Sequence, residues 1–382
     1  MNFLEKLLDG AEVEWVPLGD ITSYEQPTRF RVESTDYNDA YKTPVLTAGQ
    51  TFILGYTNEV EGIYEASVKP VIIFDDFTTA NKWVDFDFKV KSSAMKIISS
   101  ADESLVLTKY IYYWLNVLPS GLVEGEHKRQ WINCFAKKTI PIPCPDDPAR
   151  SLKIQTKIVQ ILDNFTELTA ELTAELTARE KQYEYYRDHL INSASEAIGS
   201  YELKKLGDIA ALSGKRISFE ELDESTFVGV DNLLQNKKGK VNSNYLPTTG
   251  NLTKYKSGDI LLGNIRPYLK KIWHADREGG ASGDVVVIQL TDKSVNSRYI
   301  YHALSSDKFF DYNMQYAKGA KMPRGDRRKI LEFEIPVPPL GEQERIVSIL
   351  DKFDTLTTSI TEGLPREIEL RQKQYEYYRN IL

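Results

Sequence analysis

Cysteine and histidine are scarce in this sequence, which limits the chemistry that it can support. Only two cysteines, Cys134 and Cys144, occur in 382 residues, and they do not form a C-x-x-C pair. Two buried thiols in a reducing compartment are favoured over a disulfide, although the spacing leaves both open. The four histidines are scattered without the spacing of a metal site. We therefore expect no bound metal.

Membrane, export and catalytic signals are also missing. No run of about 18 apolar residues occurs, and the acidic N-terminus lacks the order of a signal peptide, so we expect a cytoplasmic protein. The sequence has no phosphate-binding loop, no G-x-G-x-x-G and no Asn- or Asp-Pro-Pro-aromatic motif of amino-methyltransferases. Asp75 and Asp76 form an acidic pair, but a two-metal site needs further carboxylates. The chain is thus predicted to be non-catalytic and to bind no cofactor itself.

The formal net charge of −7 is distributed unevenly along the chain. Residues 1–150 contain 15 lysines and arginines against 22 acidic residues, whereas residues 201–340 contain 22 against 17. A groove that binds phosphate can be basic although the whole protein is acidic. Net charge therefore does not exclude a nucleic-acid partner.

The most informative feature is an internal repeat. Four blocks of the first half return in the same order in the second half: VPLGDIT at 16–22 and KKLGDIA at 204–210, IPIPCP at 140–145 and IPVPPL at 335–340, IVQILDNF at 158–165 and IVSILDKF at 346–353, KQYEYYRDHL at 181–190 and KQYEYYRNIL at 373–382. The chain is therefore two copies of one unit, roughly 13–190 and 201–382. Between the blocks, residues 23–139 and 211–334 show no obvious mutual similarity. Constant frames around unlike bodies indicate one shared role for the frames and two different roles for the bodies.

The variable bodies are predicted to be α/β or mostly β. Short apolar runs bounded by turn residues predict strands at 52–56, 71–77, 258–265 and 284–290. Matching short helices are predicted at 109–118 and 297–306. The predicted fold class is mixed α+β, with two α/β bodies joined by two long antiparallel helices and an approximate internal two-fold axis.

A long amphipathic helix is predicted to begin at Asp147 and Pro148, a capping carboxylate followed by proline at the first helical position. Apolar residues then recur at spacings of three and four for about 40 residues, which corresponds to about 60 Å of helix. The leucines in the middle of this stripe are Leu168, Leu172 and Leu176. Such a helix needs a partner, and its own copy in the second half supplies one. Gly363 and Pro365 predict a break in that copy.

The basic loop KGAKMPRGDRR at 318–328 is the strongest candidate for DNA contact, because arginine forks suit guanine edges and phosphates. A solvated charged turn is the alternative. NIRPYLKKIW at 264–273 interleaves basic and aromatic residues, although aromatics at that spacing often belong to a core. The candidate DNA-contacting residues of this half are Arg266, Tyr268, Lys270, Lys321, Arg324, Arg327 and Arg328.

The first half has GEHKRQWI at 125–132 in the corresponding position, a short step before the IPxP block. Duplication places both stretches at one structural location. The equivalent candidates for DNA contact are therefore Lys128, Arg129, Gln130 and Trp131.

The tyrosines of the repeated KQYEYYR block fall into two sets. Most continue the apolar stripe and are predicted to pack in the core. Tyr185 and Tyr377 fall off the stripe and are candidates for contact with a partner protein. The same surface would then occur twice and offer two equivalent docking sites.

This layout resembles the specificity subunits of type I restriction-modification enzymes over essentially the whole chain. The segment FTELTAELTAELTARE at 165–180 contains two consecutive TAEL units and, with VEWVPLG, IPIPCP and KQYEYYR, is similar to the IC branch of that family. The resemblance implies target-recognition domains at 1–146 and 199–340, each reading one half of a bipartite, asymmetric DNA site. It implies conserved helical regions at 147–198 and 341–382.

The resemblance also implies the partners. The chain would bind double-stranded DNA and two methyltransferase subunits, and would not bind a membrane. S-adenosylmethionine, ATP and magnesium would be held by those subunits and by the restriction subunits that they recruit. The TAEL copy number is linked to the length of DNA between the half-sites. One departure is expected to matter, since SLKIQTKI at 151–158 lacks the EQ of GEQERI at 341–346.

Two other classes of protein are alternatives to this interpretation. A self-contained nuclease should show a catalytic set of carboxylates and a lysine, and Pro145-Asp146 with Glu202-Leu203-Lys204 resembles one only weakly, across a long helix. A homodimeric coiled-coil DNA-binding regulator should carry one recognition body per chain. The two unlike bodies favour the specificity subunit.

Overall fold

The structure is a computed structural model that describes residues 8, 10–48, 51–119, 129–196, 202–359 and 361–381. Its α-helices span Leu18–Ile21 (α1), Thr108–Leu115 (α2), Gln130–Asn133 (α3), Pro148–Glu196 (α4), Leu206–Ile209 (α5), Ser297–Leu304 (α6), Asp307–Gln315 (α7), Arg327–Glu332 (α8), Leu340–Thr358 (α9) and Leu364–Ile381 (α10). Short 3-10 helices span Pro27–Phe30, Phe135–Lys137, Phe219–Glu221 and Pro267–Leu269.

The strands of the first half span Val13–Pro17 (β1), Thr22–Glu25 (β2), Thr43–Leu46 (β3), Ile53–Thr57 (β4), Val71–Asp75 (β5), Asn81–Val84 (β6), Lys89–Val90 (β7), Met95–Ser100 (β8) and Thr139–Pro143 (β9). Those of the second half span Leu203–Lys205 (β10), Ala210–Leu212 (β11), Arg216–Ser218 (β12), Phe227–Val228 (β13), Asn251–Tyr255 (β14), Ile260–Gly263 (β15), Ile272–His274 (β16), Gly279–Ala281 (β17), Val285–Leu290 (β18) and Glu334–Pro336 (β19).

The chain divides into two compact units, and unit 1 contains residues 1–169 and 371–382. Its main sheet is antiparallel, in the order β2-β8-β5-β6, and a second sheet has the order β4-β3-β7. Successive side chains of β5 point to opposite faces of the main sheet, and both faces are buried. Ile72 and Phe74 belong to a core with α2 and the start of α4, whereas Val71 and Ile73 belong to a core with β3 and β7.

Unit 2 contains residues 170–370 and repeats this plan. Its main sheet has the order β11-β18-β15-β16. The register is equivalent as well, because Ile260 faces Ile288 as Ile72 faces Ile98. The second sheet differs, with four strands in the order β12-β14-β17-β13. The two bodies thus share one sheet although their sequences show no obvious similarity, and the predicted mixed α+β class is confirmed.

The repeated blocks at the ends of each body pair with each other. β1 pairs with β9 and β10 with β19, both antiparallel, so the LGDI and IPxP blocks are neighbours in each unit. The glycine of LGDI permits a close approach at the same point of both. A Cβ on Gly19 would lie 3.1 Å from the carbonyl oxygen of Ala136, and one on Gly207 would lie 3.2 Å from that of Leu331.

The long helix α4 has 49 residues and begins at Pro148, as predicted, with the Asp147 carboxylate accepting the Arg150 amide at 3.0 Å. Its copy is broken between α9 and α10, also as predicted. At this break a Cβ on Gly363 would lie 2.4 Å from the Thr355 carbonyl oxygen, so glycine is required for the close turn. Both cysteines are free thiols.

Aromatic pairs join the two helical tails in each unit. Phe165 stacks on Tyr378 in unit 1, with centroids 5.3 Å apart, and Tyr186 stacks on Phe353 in unit 2 at 5.6 Å. Each unit therefore combines one body, the helix that follows it and the KQYEYYR block of the other half. The four-part domain division stays a prediction about sequence regions.

Candidate nucleic-acid interface

An aspartate of the first helical tail holds the body of unit 1. Asp163 in α4 accepts a hydrogen bond from the Tyr113 hydroxyl at 2.5 Å and pairs with the Lys109 ammonium at 2.9 Å. Both partners lie on α2, whose Tyr110 hydroxyl donates to the Pro141 carbonyl at 2.7 Å. The body of unit 1 is thereby fixed to the helical tail and to the IPxP block.

Unit 2 uses the equivalent positions with different side chains. Asp351 in α9 contacts the Arg298 guanidinium at 2.7 Å and the His302 Nε2 at 2.8 Å. The second ring nitrogen of His302 is 2.8 Å from the Tyr183 hydroxyl, which belongs to the KQYEYYR block of α4. Burial lowers the pKa of His302, against the opposing effect of Asp351, so the buried network contains a neutral imidazole.

The first tail was expected to lack both residues of the EQ pair, and this prediction is wrong for the glutamine. Gln155 in α4 accepts from the Leu107 amide at 2.9 Å and donates to the Leu105 carbonyl at 3.0 Å. Gln343 in α9 makes the corresponding bonds, accepting from the Asn296 amide at 2.8 Å. The glutamine is therefore retained in both tails, and only the preceding glutamate differs.

The basic loop at 318–328 is anchored to the main sheet of unit 2. Lys318 and Arg324 exchange backbone hydrogen bonds at 2.9 Å, and the Gly325 amide donates to the Asn264 carbonyl at 3.0 Å. The Arg324 guanidinium lies 3.2 Å from the Asp284 carboxylate, and the Arg327 guanidinium donates to the Gly283 carbonyl at 2.6 Å. Lys321 and Arg328 are exposed, and their side chains have no ion pair among the described residues. The loop therefore presents two arginines held by contacts, Arg324 and Arg327, beside two exposed cations, Lys321 and Arg328.

The predicted stretch at 264–273 divides into exposed and buried residues. Arg266 is exposed in a left-handed conformation, with φ of 52°, and its amide donates to the Pro323 carbonyl of the basic loop at 2.7 Å. Tyr268 is 49% exposed, whereas Lys270 pairs with Asp307 at 2.9 Å. The structure thus brings Arg266 and the basic loop together, with Lys270 occupied by an ion pair.

The candidates in the first half need correction. Lys128 lies outside the described residues, and Arg129 is exposed. Trp131 is only 1% exposed, with its ring 5.2 Å from Phe74, and Gln130 is 8% exposed. These two side chains are buried in unit 1, so the prediction that they contact DNA directly is wrong.

The location of the two stretches is nevertheless equivalent. The Gln130 amide donates to the Asp76 carbonyl at 2.8 Å, as the Gly325 amide donates to Asn264. The Asp76 carboxylate also accepts the Trp131 amide at 2.9 Å. Arg129 and Arg324 each precede the anchored residue, so they occupy corresponding surface positions.

The acidic pair at the end of β5 is structural. Asp76 and Lys96 are both 2% exposed and lie 3.8 Å apart, and burial lowers the pKa of Lys96. The Asp75 carboxylate closes a turn by accepting from the Phe77 amide at 2.9 Å. Within the described residues, no group of three or more His, Cys, Asp or Glu could hold a metal ion.

An open cleft of about 730 Å³ lies beside Arg266 in unit 2. We name it the amide cleft after its exposed side-chain amides, Gln235, Asn242 and Asn244. Among the described residues, neither these amides nor the Arg266 guanidinium has a hydrogen-bond partner. Sequence reasoning missed the amides, because asparagine and glutamine in loops are ordinary turn residues.

Unit 1 has a smaller cleft of different chemistry. Its volume is about 490 Å³, and its lining includes Arg31, Glu33, Glu59 and Lys89. Lys89 pairs with Glu59 at 2.8 Å, and the Glu59 carboxylate also accepts the Glu33 amide at 3.0 Å. Arg31 is exposed without an ion pair in the described part of the chain. The two bodies thus present clefts of different chemistry, a charged cleft in unit 1 and an amide cleft in unit 2.

The tyrosines predicted to face a partner are exposed. Tyr185 is 65% exposed and Tyr377 is 61% exposed, whereas Tyr183 is buried. Tyr185 stacks on His189, with centroids 5.9 Å apart and planes at 7°. The three spacer leucines at 168, 172 and 176 are half-buried. No helix in the described ranges has the length and apolarity to cross a membrane.

Comparison with known proteins accounts for the repeat. The family model described as the type I restriction modification DNA specificity domain matches twice, at residues 11–179 and 199–370. The chain belongs to this family, whose members confer DNA sequence specificity.

Two relatives agree with this membership, and one solved structure shares the fold. The chain is 50% identical to the EcoR124I/EcoR124II specificity subunit of Escherichia coli, over 100% of its length and 96% of the relative. It is 32% identical to a putative type I restriction enzyme specificity subunit of Haemophilus influenzae, over 100% and 98%. The type I S subunit of M. genitalium has the same fold, with a TM-score of 0.66 at 14% identity and coverage of 97% and 96%.

Proposed function

We propose that the chain directs a type I restriction-modification complex to one bipartite, asymmetric DNA site, with each unit reading one half. The observation that carries the proposal is the equivalence of Asp163 and Asp351. The same frame position holds two related bodies whose clefts differ in chemistry. A shared frame suits a shared partner, and different clefts suit different half-sites.

The helical tails are assigned to the protein partners. Tyr185 and Tyr377 are exposed at equivalent positions, which supports docking of two methyltransferase subunits. These subunits would carry S-adenosylmethionine, and the restriction subunits that they recruit would use ATP and magnesium in the cytoplasm. Assignment to the IC branch stays a prediction.

We expect the purified chain neither to cut nor to methylate DNA, and to direct adenine methylation at one bipartite sequence once its methyltransferase is present. The reason is that the sequence lacks a phosphate-binding loop, a G-x-G-x-x-G and the motif of amino-methyltransferases. Methylome sequencing of a host that expresses the pair, compared with each subunit alone, measures this. Methylation by the chain alone at stoichiometric purity would contradict the proposal.

Removing the arginines of the basic loop should weaken DNA binding through one half-site only. In the Arg324→Ala, Arg327→Ala, Arg328→Ala variant, loss of phosphate contacts lowers the salt slope by about one unit per contact. Loss of base contacts instead lowers discrimination by about 1–3 kcal/mol per bidentate pair. Titration of the methyltransferase complex with duplexes altered in one half-site separates the two. Arg277→Ala, outside the loop, is the control, and unchanged affinity, slope and discrimination would exclude the loop.

A further inference from the structure

The basic loop and the amide cleft of unit 2 adjoin each other but differ in chemistry. Met322 of the loop and Arg266 both line the cleft. The loop supplies mainly cations, whereas the cleft combines neutral amides with Arg266 and two aspartates, Asp231 and Asp284. We propose that the amide cleft reads the base edges of the half-site recognised by unit 2, and that the basic loop contacts the flanking phosphates. This inference rests on the proposed DNA-binding function.

The lining of the cleft suits bases better than phosphates. A side-chain amide places one donor beside one acceptor, which matches the N6 and N7 edge of adenine, and an arginine fork matches O6 and N7 of guanine. Gln235, Asn242 and Asn244 can therefore select adenine, and Arg266 can select guanine. Asp231 and Asp284 also line the cleft. The Asp231 carboxylate opposes phosphate, whereas Asp284 is paired with Arg324 of the basic loop. An aspartate can also accept a hydrogen bond from cytosine.

The loops around the cleft are held in a strained conformation. Asn236, Lys237, Arg266 and Lys270 have φ between 50° and 64°, a region that residues other than glycine rarely adopt. Such conformations persist where the surrounding structure fixes them, and they concentrate at ligand-binding sites.

Hydrogen bonds between the two loops provide that fixation. The Asn236 amide donates to the Leu269 carbonyl at 3.0 Å, and the Lys237 amide donates to the Lys270 carbonyl at 2.9 Å. The Lys237 ammonium lies 2.9 Å from the Glu184 carboxylate of α4. The cleft is therefore preformed before DNA arrives, as base recognition by short side chains requires.

The test uses the complex of the full chain with its methyltransferase subunits. Asn242→Ala with Asn244→Ala, Gln235→Ala and Arg266→Ala are compared with the wild type by methylome sequencing and by titration with duplexes altered at single bases. We expect relaxed recognition in the unit 2 half-site, with about tenfold or greater loss of discrimination at the affected base. The other half-site and the salt slope should not change, because no phosphate contact is lost.

Two further variants sharpen the result. Arg266→Lys keeps the charge but loses the fork, so it should lose discrimination as Arg266→Ala does. Asn251→Ala removes an exposed amide outside the cleft and should change nothing. The proposal is overturned if the cleft variants, folded by circular dichroism, keep full discrimination, or if Arg266→Ala lowers only the salt slope. Failure of the wild-type complex to select any bipartite site would instead refute the proposed function.

Discussion

Replacing Trp131 by alanine is expected to destabilise unit 1 by about 3–5 kcal/mol, the usual cost of truncating a large buried aromatic side chain. The indole is 1% exposed and packs against Phe74, whose ring also contacts Phe135 of the same core. Its amide is bound to the buried Asp76 carboxylate, so the truncation also loosens the segment that begins with Arg129. Urea unfolding followed by circular dichroism measures the loss of stability.

The control for this prediction is Arg129→Ala, two residues earlier. Its side chain is exposed, so stability should stay within about 0.5 kcal/mol of the wild type. Trp131→Phe should retain part of the stability, because an aromatic ring still fills the site. A Trp131→Ala protein of unchanged stability but impaired DNA discrimination would restore the interpretation of Trp131 as a DNA contact.

Local elements were predictable because their signals are short-range. Asp147 and Pro148 mark the start of α4, and Gly363 with Pro365 marks the break between α9 and α10. The common sheet of the two bodies was not predictable. This sheet depends on pairings such as Ile72 with Ile98, which join residues far apart in the sequence. Such pairings leave no repeated sequence pattern by which the shared sheet could be recognised.

The candidate site was predicted only in outline. Charge and the hydrogen-bonding fork of arginine identified the loop of Arg324, which the structure places on the surface. Trp131 was wrongly predicted to contact DNA because it follows basic residues in the sequence. The Asp76 carboxylate that binds its amide in the core lies 55 residues earlier. The amide cleft was missed because Asn242 and Arg266 come together only through tertiary contacts between separate loops.

The spacing between equivalent residues of the two halves changes along the helical tails. Asp163 and Asp351 hold the two bodies and are separated by 188 positions, whereas Tyr183 and Tyr375 are separated by 192. Tyr183 follows Asp163 by 20 residues, whereas Tyr375 follows Asp351 by 24, so the first tail is four residues shorter across the TAEL segment of the continuous helix α4. In the second tail, the corresponding region contains the break between α9 and α10.

Deleting Thr169–Leu172 should shorten the non-specific DNA between the half-sites, by about one base pair, and leave both half-site sequences unchanged. One TAEL unit contributes about 6 Å of helix and turns the apolar face by only about 40°. The half-buried leucines at 168, 172 and 176 step by four residues, so the stripe survives the deletion. A base-pair step is about 3.4 Å, and bending or tilting must absorb the remaining difference.

Methylome sequencing of the deletion strain measures the gap and both half-sites at once. A matched control is the Glu171→Ala variant, which alters the same unit at an exposed position without changing its length. This variant should methylate the wild-type sequence with the wild-type gap, because helix length rather than TAEL side-chain chemistry sets the spacing. An unchanged gap in the deletion strain, or altered bases in either half-site, would show that α4 does not measure the distance.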